Sequence, residues 1–352
     1  MAFVSGTVLI DCPASALNNA GSEAGQRTDN IVVVKQIATP RGSYPYVSAQ
    51  AFRYWLRTTL ERYGDGWKAS PVFREKKIAY TDADPVTFAD DDLFGYMRAA
   101  SKKTGARAEE ADTGTPAQRE LTRPSPFRVG TLVSLGPVRV TRDFGTMTRQ
   151  DADPVPHEHE FYRATLAAPF SLDLAAVGTF FTGQRVGLRN LDDVRAQLAR
   201  EAGAIEVTVR GQPALRLPAR VRAERTATLL RGLGRLEGGA KLALHYTDVA
   251  PTLVVAAILE GGNHPFLRWF RAGRQGEPEL VAQAVHETAR VFGAELRSAV
   301  HVGWPAGYLD DERAKLGDLP EPRPDLDVAH PREALDRLAG ELADPDHEAW
   351  RD

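Results

Sequence analysis

The sequence predicts an α+β fold of the ferredoxin-like or RRM-like kind, enlarged by insertions. Three observations predict it. Residues 3–10 and 253–259 are short runs rich in β-branched and aliphatic side chains, which suit strands. Phe52, Trp55, Leu56 and Leu60 recur at helical spacing behind Ser48, a favoured N-cap residue, so a helix runs from there to about Tyr63. Two further strands, at 128–135 and 161–174, precede a basic helix near 221–236. The resulting skeleton is βαββαβ, with large inserts between its parts. A four-stranded sheet of this type is a common RNA-binding platform.

The intervening segments follow from composition. Residues 11–30 are small and polar, with Pro13, Gly21 and Gly25, and read as a loop; 31–34 is a short β-branched run and 39–45 a turn. Residues 64–126 look irregular, with an Asp90-Asp91-Asp92 run and a polar stretch at 101–120, so they form an insertion. Residues 136–160 contain Pro and Asp and project as a long loop or hairpin. A helix at 191–202, a strand at 205–209, an amphipathic helix at 279–292 and a last strand at 296–302 complete the body. Residues 318–331 are Pro-rich and extended, and 332–343 form a short acidic helix. The expected organisation is a body, 1–305, carrying insertions at 64–126 and 136–160, followed by an acidic extension, 306–352.

Composition removes several function classes. With 43% apolar and 26% charged residues in 352, the chain is neither collagen-like, nor a coiled coil, nor wholly disordered. Its longest aliphatic run, 253–259, falls far short of the roughly 20 residues that cross a bilayer, so no membrane partner is expected. Cys12 is the only cysteine, which excludes an intrachain disulfide and cysteine-rich zinc sites and favours a cytoplasmic setting. The formal charge of -3 hides an asymmetry. Residues 306–352 hold six basic and fourteen acidic residues, a net of -8. Basic residues cluster at 31–63, five against Glu61, and at 210–241, eight against Glu224 and Glu237. Such clumping suits a polyanion partner, and suits solvated helix faces equally.

The segment 35–57 reads KQIATPRGSYPYVSAQAFRYWLR. Gln50, Arg53 and Arg57 stand at i, i+3 and i+7, which stacks them along one side of the helix. Ser48 at the N-cap leaves N–H groups for an anion, and Lys35 and Arg41 precede it. Aligned cations and donors suit a phosphate backbone. The stretch 232–241 places glycines beside Arg231, Arg235 and Lys241. It is neither G-x-G-x-x-G nor a Walker A loop, and reads as a phosphate-approaching loop or a plain turn. His157-Glu158-His159-Glu160 puts two imidazoles on one side of a strand with no third ligand, so no metal is expected. Asp90 to Asp92 could hold Mg²⁺ for a nuclease, but reads better as the cap of a helix beginning near Leu93.

The pattern Ser48-x-Gln50-x-x-Arg53-x-x-x-Arg57 after a basic loop resembles the first helix of the CRISPR-associated Cascade backbone subunit, protein seven in the CRISPR naming, of the RAMP superfamily. SGTVLIDCPASALNNAG (5–21), DDLFGYM (91–97), SPFRVGTLVSLGPVRV (125–140) and HEHEFYRATL (157–166) resemble its type I-B branch. The resemblance implies a modified RRM palm, a finger at 64–126 and a thumb at 136–160. It implies a non-catalytic scaffold without cofactors, stacked in copies along guide RNA (crRNA) while base pairing reads target DNA. Other Cascade subunits would be partners: a crRNA-end-capping subunit, a large subunit and a crRNA-processing endonuclease. Lys35, Arg41, Ser48, Gln50, Arg53 and Arg57 become guide-RNA contacts, with Arg231, Arg235 and Lys241 beside them. Met147, set among Thr146, Thr148 and Arg149, is the candidate thumb wedge and Phe144 its alternative; packing on a neighbouring palm would explain either equally. The rival functions are a metal-dependent CRISPR ribonuclease and a transcriptional regulator, the latter without any helix-turn-helix pattern.

Overall fold

A computed structural model describes residues 1–21, 31–75, 78–99, 115, 117, 120–149, 151, 153–183 and 189–350. Most of the polar stretch expected at 101–120, and positions 22–30 of the first loop, lie outside them.

The opening strand, Ala2–Ser15, occupies the middle of the main sheet. Its side chains alternate between two apolar layers: Val4, Val8, Ile10 and Cys12 enter one, and Leu9 enters the other. It pairs antiparallel with Leu253–Glu260 on one side and with Val155–Asp173 on the other. Leu132–Ser134 follows beyond Val155–Asp173. With strands numbered along the skeleton, this is the antiparallel 4-1-3-2 order of the ferredoxin-like fold. The strand expected at 128–135 is two short ones, Phe127–Val129 and Leu132–Ser134. Between them Gly130 donates to Pro169 O (2.8 Å), and a Cβ there would fall 2.8 Å from the Pro169 ring.

One face of the sheet carries the helices Ala49–Tyr63 and Ala219–Leu233. Ser48 caps the first, its Oγ accepting the Ala51 N–H at 3.3 Å. The two helices approach closely at Gly232, where a Cβ would lie 2.5 Å from Leu60 Cδ2.

Residues 306–352 differ from expectation. They are no appendage to the body. Leu326–Ala329 adds to the sheet in parallel with Val300–Gly303. The helix Pro331–Ala343 then buries Ala334, Leu335, Leu338, Ala339 and Leu342 against Ala219–Leu233. On that helix Glu333 is exposed and Asp336 and Glu341 are only partly covered.

The opposite sheet face also departs from the RRM expectation of an open platform. Leu253, Val255 and Leu259 are covered there by Phe266, Trp269, Trp304 and Leu316. Both tryptophans are fully buried and hydrogen-bonded, Trp269 Nε1 to Thr288 Oγ1 (2.8 Å) and Trp304 Nε1 to Tyr308 O (2.6 Å). The segment 261–319, including the helix Ala282–Phe292, supplies this cover.

The described residues of the 64–126 insertion include the pair Tyr96–Arg98 and Leu121–Arg123 and the short helix Ala89–Phe94. A satellite sheet of Thr179–Phe181, Gln212–Arg216 and Ile205–Val209 packs with the helix Asp193–Glu201 around Phe180, Leu191 and Leu215. The 136–160 projection is a hairpin: Thr141–Met147 pairs with the start of Val155–Asp173. Among the described residues no helix is long and apolar enough to cross a membrane.

Candidate nucleic-acid interface

The first helix presents three sides, and the proposed stripe divides between them. Gln50 stands on the exposed ridge with Tyr54. Arg53 turns inward toward Phe94 and the 125–127 segment instead. Its Nη1 donates to Ser125 Oγ (3.1 Å) and Phe127 O (3.2 Å), and its Nη2 to Phe94 O. Arg57 lies over the Phe94 ring at 4.6 Å and Arg53 over it at 5.2 Å, so the two guanidiniums flank one buried phenyl. Burial, then the charge of Arg57, brings Arg53 down to about 10. Burial lowers Arg57 as well, opposed by Asp90 and Asp91. The expectation of a free cationic stripe is therefore corrected for Arg53 and Arg57. Both are half-buried and hold the helix Ala89–Phe94 against the first helix through Phe94. Ser48 likewise spends its hydroxyl on Ala51.

The 210–241 cluster also turns partly inward. Arg222 donates to Val177 O and Leu174 O, both at 2.9 Å, and Arg225 to Pro85 O, Val86 O and Asp92. Arg231 faces Asp336 of the C-terminal helix at 3.9 Å. Arg235 remains exposed. The glycine run serves close packing: at Gly238, φ is +156° and a Cβ would fall 2.3 Å from Trp55 Cγ. Glu237 beside it accepts from Arg62 and from Tyr63 Oη (2.7 Å).

What the fold does bring together lies at the root of the hairpin. Leu17 O accepts from Ala240 N (3.2 Å) and Asn18 O from Lys35 N (3.0 Å), so Lys35 and Lys241 flank residues 17–18. Glu160 joins this region to the hairpin, accepting from Val34 N (3.1 Å) and Arg142 Nε (3.0 Å). Arg142 was missed in the sequence, where nothing marks its strand register. Arg41 sits exposed at the turn between Gln36–Thr39 and Gly42–Val47, on the sheet edge. Along the projecting hairpin Phe144 and Met147 are 62% and 59% exposed. Three residues apart on a strand, they point to opposite faces.

The aspartate run is corrected too. Asp90 to Asp92 lie inside the helix Ala89–Phe94, whose N-cap is Phe88, and all three are buried. Asp90 Oδ1 accepts from Ser70 N (2.8 Å) and Asp91 Oδ2 from Asp84 N (3.0 Å). Asp92 pairs with Arg123 and Arg225. Their oxygens hold the insertion's backbone. Among the described residues no group of three or more His, Cys, Asp or Glu is arranged to hold a metal ion.

No known family and no curated protein matches the sequence. Solved structures do match the fold. A chain described as "CRISPR RNA-guided surveillance complex" aligns over 96% of this chain and 98% of its own length, with a TM-score of 0.54 at 12% identity. A second, described as "CRISPR RNA-guided surveillance complex, pre-nicking", aligns over 97% and 100%, with a TM-score of 0.55 at 12% identity. The α+β architecture is thus one that subunits of RNA-guided surveillance complexes also adopt, end to end.

Proposed function

We propose that this chain is a non-catalytic, guide-RNA-binding backbone subunit of a type I-B Cascade, stacked in copies along crRNA and supporting pairing with target DNA. The observation that carries the reading is the likeness of the whole chain, insertions included, to chains of RNA-guided surveillance complexes. The palm, the finger and the projecting hairpin with two exposed apolar side chains agree with it. Within this reading Lys35, Arg41, Gln50, Arg235 and Lys241 supply sequence-independent backbone contacts. Arg53 and Arg57 act indirectly, by setting the finger against the first helix. Met147 or Phe144 displaces a base from the guide–target stack. The test is to purify the tagged chain from cells that hold its operon and sequence the RNA that accompanies it. The expected result is RNA of uniform length with common flanks around varied inserts. Heterogeneous cellular RNA, or none, would refute the reading. Regular Mg²⁺-dependent cleavage of bound RNA would instead favour the ribonuclease.

A further inference from the structure

Three imidazoles that the proposed function does not use gather where the hairpin leaves the sheet. His157 and His159 project from the same side of Val155–Asp173, their ring centroids 4.5 Å apart. His245, from the loop after the glycine run, lies 6.5 Å from His159 and stacks on Phe161 at 5.0 Å with 29° between planes. Gly145 is the register partner of His157, and a Cβ there would fall 2.5 Å from His157 Nε2. Glycine thus makes room for an imidazole laid across the hairpin. His245 Nε2 is buried and has no hydrogen-bond partner among the described residues. Burial lowers the pKa of His159 first, then the charges of His157, Lys241 and His245; Asp143, its register partner, opposes them. Three groups of cationic tendency thus act on His159 against one acid. Protonating His159 is therefore disfavoured while no anion is beside it.

We propose that this cluster is a phosphodiester-binding site, in which Lys241 and the imidazoles of His157, His159 and His245 hold one phosphate of single-stranded RNA, with proton uptake on binding. The inference deepens the guide-RNA reading and rests on it for the source of the phosphate. The sign of the linkage is fixed. An anion raises the imidazole pKa values, so affinity grows as pH falls from the occupied toward the free values.

The test is anisotropy of a fluorescein-labelled single-stranded RNA with the full-length chain, at about pH 8 and about pH 6, bracketing the ordinary histidine range. Affinity is expected to rise by about fivefold over this range if occupation raises one imidazole by about one unit. The triple variant His157→Gln, His159→Gln, His245→Gln should lose that rise. His286→Gln, on the far helix, should keep it. A flat wild-type response, or an undiminished rise in the triple variant, would overturn the proposal. Circular dichroism melting verifies that the variants fold. Inorganic phosphate, followed by the imidazole proton resonances, separates the two readings. If RNA fails to bind at any pH, the guide-RNA reading falls, while phosphate-induced shifts of these three histidines would still support the site. Absence of those shifts as well would overturn both.

Discussion

Replacing Asp92 by asparagine should loosen the 64–126 insertion from the main sheet and its second helix. The Asp92 side chain is wholly buried, its carboxylate lying between the Arg123 and Arg225 guanidiniums, and it also accepts the Gly178 N–H at 3.0 Å. The same two arginines reach further, Arg123 to Thr179 O (2.9 Å) and Ala176 O (2.8 Å), Arg225 to Pro85 O (2.7 Å). Insertion, satellite sheet and second palm helix therefore meet at one oxygen pair. Asparagine keeps the volume. It removes the charge and turns an NH₂ toward groups that only donate. Two buried guanidiniums lose their carboxylate, and breaking a buried pair in this way costs about 3–5 kcal/mol. At about 2–4 °C per kcal/mol, Tm should fall by roughly 10 °C. Differential scanning fluorimetry at neutral pH measures it. A variant melting within about 1 °C of wild type would refute the argument. A stable variant that had lost a metal-dependent cleavage would show that Asp92 serves chemistry instead.

Other perturbations test other parts. Burial pushes the Asp91 carboxyl up to about 6, so the folded chain keeps a proton that the unfolded chain releases near its ordinary 3.8. That contribution is full below pH about 4, is lost as pH rises toward about 6, and is absent above it. Asp91→Asn should flatten this part of the urea stability curve; an unchanged slope would contradict the assignment. Leu338→Ala, in the buried face of the C-terminal helix, should cost about 2–5 kcal/mol, and truncation after residue 305 should yield aggregated protein; a soluble, cooperatively melting truncation would make the extension dispensable. Met147→Ala should leave guide RNA co-purifying at wild-type yield while target-DNA affinity drops by roughly 1–2 kcal/mol, read by electrophoretic mobility shift; equal losses of both would remove the wedge role.

The sequence was most informative where local chemistry decides structure. Ser48 and the spacing of Phe52, Trp55, Leu56 and Leu60 place the first helix at Ala49–Tyr63, because cap and periodicity agree. The central strands were readable from β-branched runs, and so was the βαββαβ order of elements. Burial of charge was not. Arg53, Arg222 and Arg225 look like surface cations in a string of letters, yet each finds carbonyl oxygens contributed by distant segments. Pairing across such separations leaves no periodic trace. Leu326–Ala329 escaped for a related reason: four residues in a Pro-rich stretch carry too little pattern, and the strand exists because Val300–Gly303 offers an edge. The histidine cluster joins two segments more than eighty residues apart in sequence, so only half of it was visible as a motif.

The hairpin and the sheet centre share a single strand. Val155–Asp173 runs 19 residues without interruption, paired first with Thr141–Met147 and then with Ala2–Ser15. At about 3.3 Å per residue it is a beam of roughly 60 Å, about a third of which overhangs the palm. The strand itself does not break at its root: Phe161 pairs with Thr141 and the next residue, Tyr162, with Ser15, although the partner Ala2–Ser15 shifts register between Cys12 and Ser15. A load applied at the tip is therefore carried as bending of a beam clamped in the middle of the protein. Stiffness of that kind would keep the distance from sheet to tip constant from one copy to the next, and in the stack proposed above it would mark off equal intervals along the RNA.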